Sequence, residues 1–340
     1  MDREHLAATV AGFLVAAAVF AVMFYVVDAE AVLAAGRQAD LLLLAVVAGT
    51  ILLWNVAWGL ELWTVLHTLE VEAPVHTALL VNAASGFANH VTPFGQAGGE
   101  PVTAWLITQS MDTDYEVGLA SIASLDAINV VPSLSFAVVG GLYFVSTTNL
   151  DVGMVPRSVL WVLAALVVVA LLAWWFRERV RQYAGGAVYR IVHAVATRVP
   201  RVQPPSRESL KARIASFVGA IRRVGNDRPR LAGAVGLSAL GWVFQAVGLW
   251  VTFLALGEHI PVYVPLFVLP LGTMGSVVPT PGGLGGTEAI NVTVLTVVTS
   301  VAAPTVAAAV TLHSVGGYLL TTSVGAAAAS VLGVRGAVER

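Results

Sequence analysis

The sequence predicts an all-α fold, a polytopic bundle of transmembrane helices with two Pro/Gly-broken, re-entrant segments arranged as an inverted repeat. Three observations predict it. Of 340 residues, 57% are hydrophobic and 11% charged, with a mean hydropathy of +0.82. Soluble domains carry about 25% charged residues, so this much apolar surface calls for a bilayer. Six apolar runs reach the length of about 20 residues that a spanning helix needs. Finally, two stretches rich in Gly, Pro and Asn recur, one in each half of the chain.

The first run, 6–27, has the small-x-small sequence Ala29-Glu30-Ala31 shortly after it, as a cleaved signal peptide would. Its length exceeds the roughly 7–15 apolar residues of a signal core, and Asp2 and Glu4 flank Arg3 where a signal would be positive. It is expected to be a retained transmembrane helix. The other spanning runs are 41–66, 117–146, 158–176, 231–256 and 305–332, with a shorter apolar run at 287–302. The broken stretches are 76–110 and 262–286. There is no cysteine, which excludes disulfides, thiol chemistry and Cys-type metal sites.

The connection from Arg177 to Arg230 holds 13 of the chain's 18 basic residues against Glu178, Glu208 and Asp227, a net charge of +10. The positive-inside rule places it in the cytoplasm, which puts the N-terminus inside and 28–40 in an outer loop. Three parts follow: a membrane half 1–176, the basic connection 177–230, and a membrane half 231–340. Within the connection, Leu210, Ile214, Phe217, Val218 and Ile221 form one apolar helix face, with Ser206 as N-cap. Such a helix suits a membrane surface and anionic headgroups. A plain topology signal with a solvated basic face accounts for the same residues.

The sequences Pro-Phe-Gly-Gln-Ala-Gly-Gly-Glu at 93–100 and Pro-Gly-Gly-Leu-Gly-Gly-Thr-Glu at 281–288 both fit P-x-G-x-x-G-x-E. Pro93 matches Pro281, Gly95 matches Gly283, Gly98 matches Gly286, and Glu100 matches Glu288. Proline ends a helix and glycine permits tight backbone and close approach. A helix then restarts, with Pro101 suited to its first position in the first copy and each glutamate in the first turn. Lipid cannot satisfy the freed backbone groups, so such a break is buried in protein or lines a watery cavity. Paired broken segments point to a transporter's substrate site.

Each glutamate has two readings, as an ordinary helix-terminal acid or as an intramembrane acid on a substrate or proton path. Asp126 and Glu61 are also ionisable at apparent membrane depth. Asp126 shares a helix face with Asn129. His90 and His313 read as packing histidines. Asn55, Asn82, Asn89, Gln245 and Asn291 complete the polar residues in or beside apolar runs. No metal-binding spacing and no Walker sequence occurs, so neither a metal, a cofactor nor ATP hydrolysis is expected.

Asn89-His90-Val91-Thr92-Pro93 through Gly98-Gly99-Glu100, and Pro279-Thr280-Pro281-Gly282-Gly283-Leu284-Gly285-Gly286-Thr287-Glu288, resemble the two signatures of the lysylphosphatidylglycerol synthase transmembrane (flippase-like) family. The resemblance covers essentially the whole chain. It implies a lipid-flipping membrane domain acting on a phospholipid or a polyprenyl-linked glycan. About ten residues follow the last run, so lysyl transfer, and enzymatic activity generally, is not expected of this chain. Few intramembrane arginines are present, and glycine N–H groups and helix N-termini would hold a lipid phosphate instead.

The expected function is therefore translocation of a phospholipid or lipid-linked substrate, in the cell membrane, through a midplane cavity. The expected substrate-binding residues are Asn89, Pro93, Gly95, Gly98, Gly99, Glu100, Asp126, Pro281, Gly283, Gly286 and Glu288. The expected partners are membrane lipids, with no nucleic acid. A non-transporting scaffold for a lipid-modifying or glycosylating enzyme and an ion-coupled solute transporter are the alternatives. If 262–286 crosses fully, the C-terminus lies inside, as Arg335 and Arg340 favour. If it is re-entrant, the C-terminus lies outside, as an inverted repeat requires.

Overall fold

A computed structural model describes residues 14, 17, 18, 21, 25, 29–92, 96–147, 207–277 and 280–338. All regular structure among them is helical. Most of the expected span 6–27, all of 158–176 and Ser206 lie outside the described residues. The chain forms two compact units, 1–141 with 220–340, and 142–219.

In order, the helices are α1 (Ala29–Arg37), α2 (Leu41–Thr68), α3 (Val75–Val91), α4 (Gln96–Met111), α5 (Tyr115–Thr147), α6 (Arg207–Asn226), α7 (Arg228–Ala255), α8 (Tyr263–Gly272), α9 (Gly286–Val298) and α10 (Ala303–Val338). Two 3₁₀ turns, Thr273–Val277 and Pro281–Gly283, lie between α8 and α9. Among the described residues, α2, α5, α7 and α10 are long and apolar enough to cross a membrane.

The starts of α2, α3, α4 and α5, at Leu41, Val75, Gln96 and Tyr115, recur as the starts of α7, α8, α9 and α10, at Arg228, Tyr263, Gly286 and Ala303. The spacing between each helix and its counterpart is nearly constant. Local chemistry recurs with it. Asp40 caps α2 by accepting the Leu42 N–H at 2.8 Å, and Asp227 caps α7 by accepting the Arg230 N–H at 3.2 Å. The Trp63 indole donates to the Ala73 carbonyl and the Trp250 indole to the Ile260 carbonyl, each ten residues on and each at 3.0 Å.

The repeated elements pack on one another, α2 against α7 and α3 against α10. Small residues allow the close approach, as membrane helices require. A Cβ on Gly241 of α7 would collide with the Trp58 indole of α2, and one on Gly325 of α10 would collide with the Ala83 carbonyl of α3. Trp58 meets Trp54 edge-to-face at 5.2 Å and Trp242 at 6.1 Å. Helix α5 joins the same body through Asn129, whose Oδ1 accepts from the Ser238 hydroxyl at 3.0 Å and the Trp242 indole at 2.9 Å.

Two local expectations need correction. The segment 28–40 contains α1, because Val32 buries its side chain and α1 packs on α10. Helix α4 starts at Gln96, so Pro101 lies inside it and Glu100 lies in its second turn. The helix takes in Gly98 and Gly99 because both have a close neighbour where a side chain would go. The apolar face of α6 runs from half-buried Ile214, Phe217 and Val218 into buried Ala220 and Val224. Ile221 is 38% exposed.

Candidate functional site

The first break separates α3 from α4 after Thr92, whose extended backbone (φ −94°, ψ 142°) stops the helix. Pro93 and Gly95 lie outside the described residues. A Cβ on Gly99 would collide with the Asn89 side chain and lie 2.8 Å from the Asn89 backbone nitrogen. A Cβ on Gly98 would lie 2.8 Å from the Thr92 side chain. These glycines therefore let α4 fold back directly against the end of α3. Thr103 bridges the same two helices by donating to Ser85 at 2.7 Å. Asn89 Oδ1 is buried there without a hydrogen-bond partner.

Glu100 of α4 and Asp126 of α5 interact electrostatically. Both side chains are half-buried. Glu61 of α2 interacts electrostatically with Asp126. Glu61 is 1% exposed, and neither of its carboxyl oxygens has a hydrogen-bond partner. Asp126 thus interacts with an acid on each of two other helices, Glu100 of α4 and Glu61 of α2.

The second break holds the turns Thr273–Val277 and Pro281–Gly283, between α8 and α9. Gly282, Gly283 and Gly285 have φ of +64°, +72° and +90°, a region that favours glycine. Some of its backbone groups are satisfied within the loop. The Gly283 N–H donates to the Thr280 carbonyl at 3.1 Å, and the Thr280 hydroxyl donates to the Leu284 carbonyl at 2.8 Å. A Cβ on Gly275 would collide with the backbone of Gly286, which fixes the first 3₁₀ turn against the start of α9.

Glu288 is 3% exposed and sits at the third position of α9. Its carboxylate accepts the Gly285 N–H at 2.6 Å, beside Ser314 of α10. It therefore caps the helix start. Asn291, one turn on, packs its amide where a Cβ on Gly272 would be, and its Oδ1 is buried without a partner.

The two breaks meet. His90, at the end of α3, stacks on Tyr318 of α10 with ring centroids 4.0 Å apart. The Tyr318 hydroxyl donates to the His90 carbonyl at 2.9 Å, and His90 Nδ1 lies 2.7 Å from the Thr322 hydroxyl. Gly282 lies against both rings, because a Cβ there would be 2.8 Å from Tyr318 and 2.9 Å from His90. Asn89, Gly98, Gly99, Glu100 and Asp126 gather at the first break, while Pro281, Gly283, Gly286 and Glu288 gather at the second. The two glutamates have different partners.

Sequence reading missed Tyr318, Thr322 and Ser314. The repeat carried a signal for Ser314, which stands as far beyond Asp126 as Glu288 stands beyond Glu100. Tyr318 and Thr322 carried none. Among the described residues, no group of three His, Asp or Glu is placed to hold a metal ion.

A helical membrane protein with two broken, mutually packed segments is what the fold and this site define. The chain belongs to the lysylphosphatidylglycerol synthase TM-region family, whose model matches residues 9–325. That is a membrane protein family linked to lipid handling. Two proteins named UPF0104 membrane protein, both from Methanothermobacter thermautotrophicus, are similar to it. One is 26% identical over 211 residues, covering 60% of each chain. The other is 25% identical over 254 residues, covering 73% of this chain and 71% of the relative. The match thus spans less than two thirds of the first relative's length. No solved structure matches the chain.

Proposed function

We propose that the protein is a translocase for a phospholipid or lipid-linked substrate, whose polar headgroup passes along the two helix breaks while its acyl chains stay in lipid. The observation that carries this reading is the packing of Gly282 on His90 and Tyr318, which joins both breaks into one locus. Broken helices at such a locus offer backbone groups to a polar ligand that unbroken helices withhold. Membership of a lipid-handling family supports a lipid as that ligand. Both breaks are read as re-entrant, and the repeat as inverted. Glu100 and Asp126, half-buried, contact the headgroup, with Asn89, Gly98 and Gly99 around them. The protein lies in the cell membrane with 177–230 in the cytoplasm, where its basic residues attract anionic headgroups.

The test is headgroup exposure in vesicles reconstituted with purified protein and labelled lipid. Glu100→Gln should abolish exposure without loss of folded protein. Glu288→Gln should abolish it too, with a lowered thermal stability because a helix cap is weakened. Unchanged exposure in both variants would remove the site assignment. No exposure by the wild type with any phospholipid or polyprenyl-linked lipid would favour the scaffold reading.

A further inference from the structure

Contacts between α2 and α7 run in opposite senses along the two helices. At the start of α2 the Asp40 N–H donates to the Ala255 carbonyl at 2.8 Å. Further along, Val47 and Ile51 pack with Val251, and Thr50 Oγ1 lies 2.7 Å from where a Cβ on Gly248 would be. The Trp58 indole donates to the Ser238 carbonyl at 3.4 Å, and Arg230 donates to the His67 carbonyl at 3.4 Å. The helices are therefore antiparallel from end to end. Each has 28 residues, about 42 Å, against a bilayer core of about 30 Å. The end of α2 thus lies at the face where α7 starts, and the end of α7 lies at the other face.

The broken segments follow from those opposite ends. The Trp63 indole on the Ala73 carbonyl holds the turn from α2 to α3, and the Trp250 indole on the Ile260 carbonyl holds the turn from α7 to α8. Indoles favour the membrane–water interface. Helix α4 then folds back along α3, with Gly99 on Asn89 and Thr103 on Ser85. Helix α9 folds back along α8, with Asn291 on Gly272 and Gly286 on Gly275. The longest of these arms, α3, has 17 residues, about 26 Å, so none crosses the core alone. The tips of the two hairpins meet where Gly282 lies on His90 and Tyr318. Helices α3 and α10 are antiparallel too, with Ala83 at Gly325 and His90 at Tyr318. Their counterparts in the repeat, α8 and α5, meet at Phe267 and Gly140.

We propose that the two hairpins enter the membrane from opposite faces, α3–α4 from the cytoplasm and α8–α9 from outside, and that the packing of Gly282 on His90 and Tyr318 is the barrier between them. The basic connection runs directly into α7, so its charge sets the start of α7, and with it the end of α2, at the cytoplasmic face. Helix α9 is then a returning arm, and α10 runs from the outer face to a cytoplasmic C-terminus. Re-entrance of the second break thereby agrees with the side that Arg335 and Arg340 favour. The topology stands independently of lipid transport. Use of the barrier to gate a headgroup rests on the transport reading.

The chain has no cysteine, so single cysteines in the full chain report sidedness directly. The probe is a membrane-impermeant maleimide, applied to intact and then to permeabilised cells. His259→Cys and Ser300→Cys, at exposed positions flanking the second hairpin, should label in intact cells. Glu72→Cys and Asp114→Cys, flanking the first, should label only after permeabilisation, as should Asn226→Cys and a cysteine added after Arg340. Labelling of the two flanks of either hairpin from different sides would overturn the topology, as would labelling of all four flanks from one side. Labelling of Asn226→Cys in intact cells would overturn the stated orientation. The barrier is tested at Val91→Cys, next to His90 and 42% exposed. A small charged methanethiosulfonate added outside should not reach it until Tyr318→Ala or His90→Ala is combined with it. Reaction without either substitution would overturn the barrier, and so would protection in a folded double variant. The stated labelling in a protein that moves no lipid would count against the transport reading and leave the topology standing. Lipid movement with the hairpin flanks on different sides would do the reverse.

Discussion

The first and second breaks share the pattern P-x-G-x-x-G-x-E yet use its last residue differently. Glu288 is held by the Gly285 N–H at 2.6 Å, so it closes the start of α9. Glu100 lies a turn inside α4, away from the free N–H groups of the helix start, and turns to Asp126. The position within the helix accounts for the difference. Glu100 is the fifth residue of α4, whereas Glu288 is the third of α9. A shared pattern thus locates equivalent residues, and the local helix start decides what each can do. One glutamate is structural by its contacts. The other is left to face a neighbouring acid and any ligand.

The comparison can be broken or sharpened by substitution. The largest effects are expected at the glycines that let backbone approach backbone. Gly275→Ala should cost about 3 kcal/mol, because its Cβ would enter the backbone of Gly286, and Gly99→Ala somewhat less, because part of its clash is with the movable Asn89 side chain. Thermal unfolding in detergent would check both. Glu288→Ala should cost about 2 kcal/mol by leaving the Gly285 N–H buried and unpaired, and Glu100→Ala less than half of that. Equal losses would contradict the division of roles. Tyr318→Phe keeps the stack on His90 and removes one hydrogen bond, for a loss of about 1 kcal/mol.

Much of the fold was legible in the sequence because length and hydropathy govern it. The run 41–66 became Leu41–Thr68, and 231–256 became Arg228–Ala255. Aspartates with free N–H groups to cap set those starts. The pattern also located both breaks. What it could not give were contacts across the chain. Tyr318 meets His90 over 228 residues, and an aromatic in an apolar helix carries no mark of that role. His90 read as a packing residue, and it does pack, but against the second break. Glu100 was placed in a first turn because Pro101 suited a helix start. The close packing of Gly98 and Gly99 on α3 moved that start upstream. The isolation of Glu61 was equally hidden, since only the assembled helices show that neither oxygen finds a donor.

The central claim is that the two breaks act as one locus for lipid movement, and the absence of cysteine makes it directly testable. His90→Cys with Tyr318→Cys places a unique thiol pair on the contact between the breaks. Bridging the pair in vesicles with a short, reducible bifunctional thiol reagent should stop headgroup exposure, and reduction should restore it, while neither single variant responds. Equal exposure before and after verified bridging would contradict the account.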